Sequence, residues 1–284
     1  MFLEAAIDVS SELEIGRKLN DKEKQEVIRK FIQMIEEAAL PGDFLLFGQF
    51  LKLFTNRFIP QYRAALTVRD YFFGLIGPII EEHAKTFDSN HMRDYVDLLI
   101  DERRKAEAKN KQSSDKSLFT KESFINAIML SFSAATETKA NTLSMAVFHL
   151  ASNPEMQNKF HEEIKRVVGN ERLVEYKDSK DLPYLTAVCN EALRYASIAF
   201  LGVPHRATQT FKVNDFVIEK DCLIISNIWA MSRDEKYFVN ADKFDPNNYY
   251  NKELPKECYS FQFSLGPRSC PGEVVAKMEL FHFL

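Results

Sequence analysis

Apolar residues recur at helical spacing along most of the chain, and breaks in that period mark where elements end. Residues 1–51 carry amphipathic helical patterns separated by the breaker Pro41-Gly42, and 44–60 follow with Phe44, Phe47, Phe50, Phe54 and Phe58 near helical spacing. That aromatic face reads as core packing in preference to a ligand-facing or membrane-facing surface. A helix-like run covers 92–104. The charged stretch 105–116 has a composition that buries nothing and reads as a solvated loop or helix end. From Thr120 onward, Ile125, Ile128, Met129 and Phe132 hold one face, and Leu143, Ala146, Val147 and Leu150 resume it. The spacing predicts one long buried helix, capped by Thr120 with Glu122 in its first turn, of about 45 Å at 1.5 Å per residue. Asn153-Pro154-Glu155 supplies cap, first-turn proline and acid for a helix ending near Gly169, and another follows Pro183. Short strands are predicted at 211–213, 216–218 and 222–226, then irregular chain over 231–261 and a last helix opening near Gly272. The predicted class is mainly α with a small β-sheet, in one domain.

Composition sharpens this reading. The 284 residues hold 37 basic and 41 acidic side chains, a net charge of −4, which speaks against nucleic acid as a partner. Apolar residues make 45% and charged ones 27%, a globular balance, and the nine glycines are about half of average usage at roughly 7%, as long helices require. Cys189, Cys222, Cys258 and Cys270 show no close pairing, and Glu4 and Asp8 interrupt the opening, so a reduced intracellular setting without a signal peptide is predicted. The apolar run 71–80 contains Gly74, Gly77 and Pro78 and falls short of the ~20 residues that cross a bilayer, so no transmembrane segment is expected.

Three features carry chemistry. Ala134-Ala135-Thr136-Glu137-Thr138 places two small residues, an acid and hydroxyls inside the long helix; Thr138 can bond back to the Ala134 carbonyl and bend it. Taken alone, this reads first as a helix crossing that needs small side chains. Glu191 and Arg194 are adjacent on one helix face, and alone they read as a solvated ion pair worth ~0 to 1 kcal/mol. Phe263-Ser-Leu-Gly266-Pro-Arg268-Ser-Cys270-Pro-Gly272 joins an aromatic, a turn-permitting glycine, a cation and a cysteine just ahead of a helix. There the positive end of the helix dipole and free backbone N–H groups favour a thiolate as metal ligand or nucleophile. The alternative, a small buried hydrophobe, suits Cys189, Cys222 and Cys258 and fits Cys270 poorly.

FSLGPRSCPG resembles the haem-binding loop of the cytochrome P450 monooxygenases, F-x-x-G-x-R-x-C-x-G, at every defining position. AATET resembles that family's oxygen-activating segment and EALR its E-x-x-R pair, in the family's order; the likeness extends through DLPYLTAVCNEALRY, VPHR and 227–249, with the flavour of animal microsomal drug- and lipid-oxidising members. The resemblance implies the cytochrome P450 fold, with Cys270 as thiolate ligand to haem iron. Phe263 would shield the sulfur, Gly266 would let the loop turn, and Gly272 and Ala276 would let the last helix lie close to the macrocycle. Arg268 and His205 match positions that hold haem propionates. Thr138 and Glu137 would relay protons during oxygen activation, with Ala134 and Ala135 making room. Phe132 and the segment 197–203, including Phe200, Leu201 and Val203, would line the substrate pocket.

The implied reaction inserts one atom of O2 into an apolar organic molecule of xenobiotic, fatty-acid or steroid type, with electrons from NADPH through a reductase, at the cytoplasmic face of the endoplasmic reticulum membrane. Three positions depart from the family's pattern. Ala135 stands where Gly is usual and Lys139 where Ser or Thr is usual, so helix bending and local charge are expected to differ. Asn248 stands where an Arg or His usually joins Glu191 and Arg194, which leaves the pair less well compensated if it is buried. By the resemblance, the chain is an internal piece of a longer protein, without the family's membrane anchor, first helices and C-terminal end. Leu280, Phe281, Phe283 and Leu284 are then expected to leave apolar surface bare, so that the piece alone does not catalyse. Two other readings stay open: a non-catalytic remnant or interaction protein with weak or no haem binding, and a haem-thiolate isomerase or dehydratase that needs no reductase.

Overall fold

The computed structural model describes residues 1–38, 60–109 and 120–284. The breaker Pro41-Gly42, the aromatic stretch up to Pro60 and residues 110–116 of the charged stretch lie outside the described residues. The described chain is mainly helical with short strands and divides into two compact units: residues 3–137 with Met1, and 138–284 with Phe2.

The first unit contains α1 (Phe2–Ile15), α2 (Asp21–Ala38), α3 (Pro60–Thr86), α4 (Tyr95–Lys109) and the opening half of α5 (Lys121–Ala151). Its core joins Ile7, Ile15, Val27, Phe72, Ile76, Val96, Ile125, Ile128 and Phe132. α1 stops at Gly16, whose φ of 69° is the left-handed conformation that a C-terminal cap needs, and whose N–H donates to Glu12 O at 3.1 Å. A side chain there would also collide with the Asp94 carboxylate. α3 runs through Gly74, Gly77 and Pro78 without a break. At the start of α4, Asp94 Oδ1 accepts from Asp97 N at 3.0 Å. The buried Asp97 takes Arg93 Nε at 2.6 Å and Nη2 at 2.7 Å, and His83 Nδ1 lies 3.1 Å from it. His83, Asp94 and Asp97 bring ligand-type atoms within 4.8 Å of one another, but Arg93 already engages both Asp97 oxygens, so the cluster is an ion-pair node.

α5 starts as its sequence predicts: Ser123 N donates to Thr120 Oγ1 at 3.1 Å, and the helix continues for 31 residues through 134–138 without interruption. Leu130 and Phe148 are 70% and 63% exposed, so α5 is not buried all round, contrary to the sequence reading. Its apolar faces cover only part of each turn.

The second unit holds the rest of α5, then α6 (Pro154–Val167), α7 (Pro183–Ala196), α8 (Ile228–Ser232) and α9 (Glu273–Phe283). Asn153 caps α6 by accepting from Met156 N at 3.1 Å. α7 has no cap of its own at Leu182; Glu163 of α6 supplies one, its carboxylate accepting from Tyr184 N and Leu185 N at 2.9 to 3.0 Å. Four short strands form two antiparallel ladders: β1 (His205–Arg206) with β4 (Leu223–Ile224), and β2 (Phe211–Val213) with β3 (Phe216–Ile218). One cluster packs Leu143, Leu150, Phe160, Leu185, Val188, Leu280 and Phe281, and a second packs Ile228, Phe238, Tyr249, Cys258 and Phe261. Two expectations are corrected here. Leu280 and Phe281 are buried in the first of these clusters, while Phe283 is 39% exposed. Cys222 is exposed at the ladder edge, whereas Cys189 and Cys258 are buried as expected of small hydrophobes.

Candidate active site

The loop ahead of α9 is built from short 3-10 turns at Lys256–Tyr259, Phe261–Phe263 and Gly266–Arg268. Gly266 has φ +81°, a conformation that a side chain would strain, and from it the chain folds back so that Cys270 N donates to Phe263 O at 2.7 Å. Lys277 of α9 fastens the other side, donating to Tyr259 O at 2.9 Å and Glu273 Oε1 at 2.6 Å with its ammonium 5.4 Å from the Phe263 ring centre. Gly272 is the N-cap of α9, in keeping with the expected helix start near Gly272, and a Cβ there would lie 3.8 Å from Cys270 Sγ. Ala276 N donates to Gly272 O at 2.9 Å, which sets Ala276 in the first turn of α9.

The result is an exposed, unbridged thiol held by backbone bonds. Arg268 and His205 are exposed as well, and among the described residues neither side chain has a hydrogen bond or ion pair. Phe200, Leu201 and Val203 sit in the turn after α7, between 44% and 77% exposed, with Gly202 at φ +60° and Trp229 N donating to Phe200 O at 3.0 Å.

The structure overturns the surface reading of the EALR pair on α7. Both Glu191 and Arg194 have fully buried side chains. Arg194 donates Nε and Nη2 to the two Glu191 oxygens at 2.7 Å each. Its remaining N–H groups go to backbone carbonyls: Ser232 O at 2.5 Å, Ala241 O at 2.8 Å and Lys243 O at 2.9 Å. Glu191 also accepts from Asp245 N at 2.7 Å and Asn248 Nδ2 at 3.5 Å, while Asn248 Oδ1 accepts from Val239 N at 2.8 Å. Burial pushes the Glu191 carboxyl up from the ordinary glutamate value despite these donors, in keeping with an amide at 248 that brings no charge. The pair therefore acts as a clasp that ties α7 to the chain over 232–248. Ser232, Ala241, Lys243 and Asp245 were missed by the sequence reading, and only the neighbourhood of Asn248 had signalled them.

On α5, Ala134, Glu137 and Thr138 are exposed at i, i+3, i+4 spacing, Ala135 is half-buried and Thr136 is buried, its hydroxyl donating to Phe132 O at 2.7 Å. Thr142 and Ser144 make the same type of back-bond, to Thr138 O and Ala140 O. Phe132 is 3% exposed, in the core of the first unit, its ring 6.1 Å from that of Phe72. The predicted site residues thus fall in both units: Cys270, Arg268, His205, Phe263, Gly272 and Ala276 in the second, and Phe132, Ala134, Ala135 and Glu137 in the first. A hollow lined by Asn153, Lys159, Tyr184 and Asp245 includes none of them.

The site thus presents a free, exposed thiol on a braced loop ahead of a helix, in a mainly helical chain. The comparison with protein families makes this specific. The family model described as Cytochrome P450 matches residues 1–284, and the chain belongs to that family, which implies a haem iron cofactor. The chain is 37% identical over 207 residues to "Cytochrome P450 2C3" of Oryctolagus cuniculus, covering 72% of this chain and 41% of that one. It is 30% identical over 263 residues to "Steroid 17-alpha-hydroxylase/17,20 lyase" of Ictalurus punctatus, 91% of this chain and 50% of that one. With "Cytochrome P450 2H1" of Gallus gallus it shares 36% over 220 residues, 77% and 43%. The chain spans about half the length or less of these relatives.

Proposed function

We propose that the full-length protein is a haem-thiolate monooxygenase that hydroxylates an apolar organic molecule, with Cys270 as the thiolate that would hold the haem iron. The observation that carries this reading is the Cys270 loop. Its sulfur is exposed and unbridged, its backbone is fixed by the Phe263 carbonyl, and the Arg268 guanidinium stands two residues away without a partner among the described residues. That donor chemistry fits the cofactor the family implies: a thiolate for iron and an unpaired cation for a propionate. Haem bound there would supply the activation of O2, since thiolate donation favours O–O cleavage.

The chain's own residues supply the rest. Gly266 and the Lys277 brace hold the loop in one shape, so the thiol is presented without reorganisation. Arg268 and His205 would orient the cofactor by its carboxylates. Thr138 and Glu137, exposed one after the other on α5, would pass protons, and Ala134 and Ala135 keep that face of the helix low. Exposed Phe200, Leu201 and Val203 offer apolar surface to the substrate, whereas Phe132, expected to line the pocket, is taken up by the core of the first unit. The name of one relative, a steroid hydroxylase and lyase, supports an apolar substrate. NADPH electrons through a reductase and attachment to the endoplasmic reticulum membrane belong to the same reading; among the described residues no helix is long and apolar enough to cross a membrane.

The test is Cys270→Ser in the full-length protein. The reduced carbon monoxide complex of the parent should show the thiolate-type Soret shift and the variant should lose it. If the shift persists in Cys270→Ser and vanishes in Cys189→Ser, Cys222→Ser or Cys258→Ser, the ligand assignment is wrong.

A further inference from the structure

The second unit buries a second ion pair, and packing does not call for it. Lys139 is 7% exposed and Glu279 8%, and Lys139 Nζ donates to Glu279 Oε1 at 2.7 Å. The pair lies beside an apolar seam, because Leu280 and Phe281, the next residues of α9, cluster with Leu143, Ala146 and Leu150 of α5. Taking an ion out of water costs several kcal/mol, and apolar residues of similar volume commonly serve stability as well or better. What an ion pair adds in such a seam is a fixed register, since the charged atoms are satisfied in only one alignment of the two helices.

The elements so aligned are those that carry the proposed chemistry. Lys139 follows Thr138 directly on α5, and Glu279 sits on α9, whose N-terminal end is the Cys270 loop. Among the described residues Glu279 Oε2 is buried without a hydrogen-bond partner, so Lys139 is the group seen to hold this carboxylate. Were α9 to slide on α5, Leu280 and Phe281 would find other apolar contacts at small cost, whereas Glu279 would lose its counter-charge Lys139.

We propose that Lys139 is a positioning residue for oxygen activation: through Glu279 it fixes α9, and with it the Cys270 loop, against the Thr138 turn of α5. This inference rests on the haem-thiolate reading. In the coupled reaction, substrate, O2, two electrons and two protons give hydroxylated product and water. With the alignment lost, the same electrons and protons reduce O2 to hydrogen peroxide, and product per NADPH falls.

The experiment uses the full-length protein with its reductase and records NADPH consumed, product, peroxide and the reduced carbon monoxide band. Lys139→Met should keep the thiolate-type band while product per NADPH falls about tenfold and peroxide rises, the scale on which a displaced reaction geometry acts. A second variant separates positioning from stability. Lys139→Met with Glu279→Leu removes both charges, so its urea midpoint should recover toward the parent from the lower midpoint of either single variant, yet its product per NADPH should stay low. Should Lys139→Met not accumulate as haem protein, the neutral pair carries the test alone. Parental coupling in either variant, with the band intact, overturns the role of Lys139 and leaves the Cys270 reading standing. A parent without the thiolate band refutes the Cys270 reading, and this inference with it.

Discussion

Replacing Arg194 by Leu perturbs the clasp at its centre, and the structure sets the size of the effect. The guanidinium fills five hydrogen bonds within 2.5 to 2.9 Å, two to Glu191 and three to backbone carbonyls of residues 232, 241 and 243. Leu would leave Glu191 buried without its counter-ion, a loss of about 3 to 5 kcal/mol for a buried pair broken on one side. The three carbonyls would lose their donor as well, and a buried polar group left unsatisfied costs about 1 to 3 kcal/mol. These contributions share one cavity and do not add in full, but even about 5 kcal/mol reaches the whole stability of a modest domain, ~5 to 15 kcal/mol. Arg194→Leu is therefore expected to accumulate poorly or to unfold at far lower urea in the full-length protein, followed by far-UV circular dichroism. Asn248→Ala provides the calibration: it removes a 3.5 Å contact to Glu191 and the acceptor for Val239 N, and should cost about 1 to 3 kcal/mol. A loss below about 1 kcal/mol for Arg194→Leu, the range of an exposed pair, would refute the clasp.

How far the sequence discloses this molecule follows from the range over which each feature is encoded. Helices whose signals are local were legible: Thr120, Asn153-Pro154 and Pro183 sit at element starts as predicted, while nothing in the loop motif announces the Lys277 brace. α3 escaped because Gly74, Gly77 and Pro78 read as breakers, whereas Ile76 and Ile80 pack in a core that outweighs local propensity. β1 is two residues long and offers no period. The burial of Glu191 and Arg194 is decided by carbonyls over 232–243, the cap of α7 by Glu163, and the partner of Lys139 by a residue 140 positions away. Period and motif carry no information at that separation. Exposure of Cys222 is likewise set by the open edge of a two-stranded ladder, which hydrophobicity alone does not reveal.

Two further predictions use other buried carboxylates. Glu163→Ala strips the first turn of α7 of the acceptor for Tyr184 N and Leu185 N and should cost about 1 to 3 kcal/mol in urea unfolding; an unchanged midpoint would show the cap to be replaceable. The last prediction concerns acid. The Arg93 guanidinium, ahead of the Arg93 backbone N–H and the His83 bond to the same carboxylate, holds Asp97 at about 2 against an ordinary 3.8, so the native state keeps this group ionised where the unfolded chain protonates it. With the folded value depressed, its contribution is fully present above about pH 4 and is lost as pH falls toward 2, amounting to about 1 to 2 kcal/mol after solvent screening. Asp94, pushed up by burial, works in the opposite sense, so the comparison is with Asp97→Asn, in which Asp94 remains. The free-energy gap between parent and Asp97→Asn should narrow between pH 5 and pH 2 in urea titrations, and a gap constant across that range would show that Arg93 does not hold the Asp97 charge.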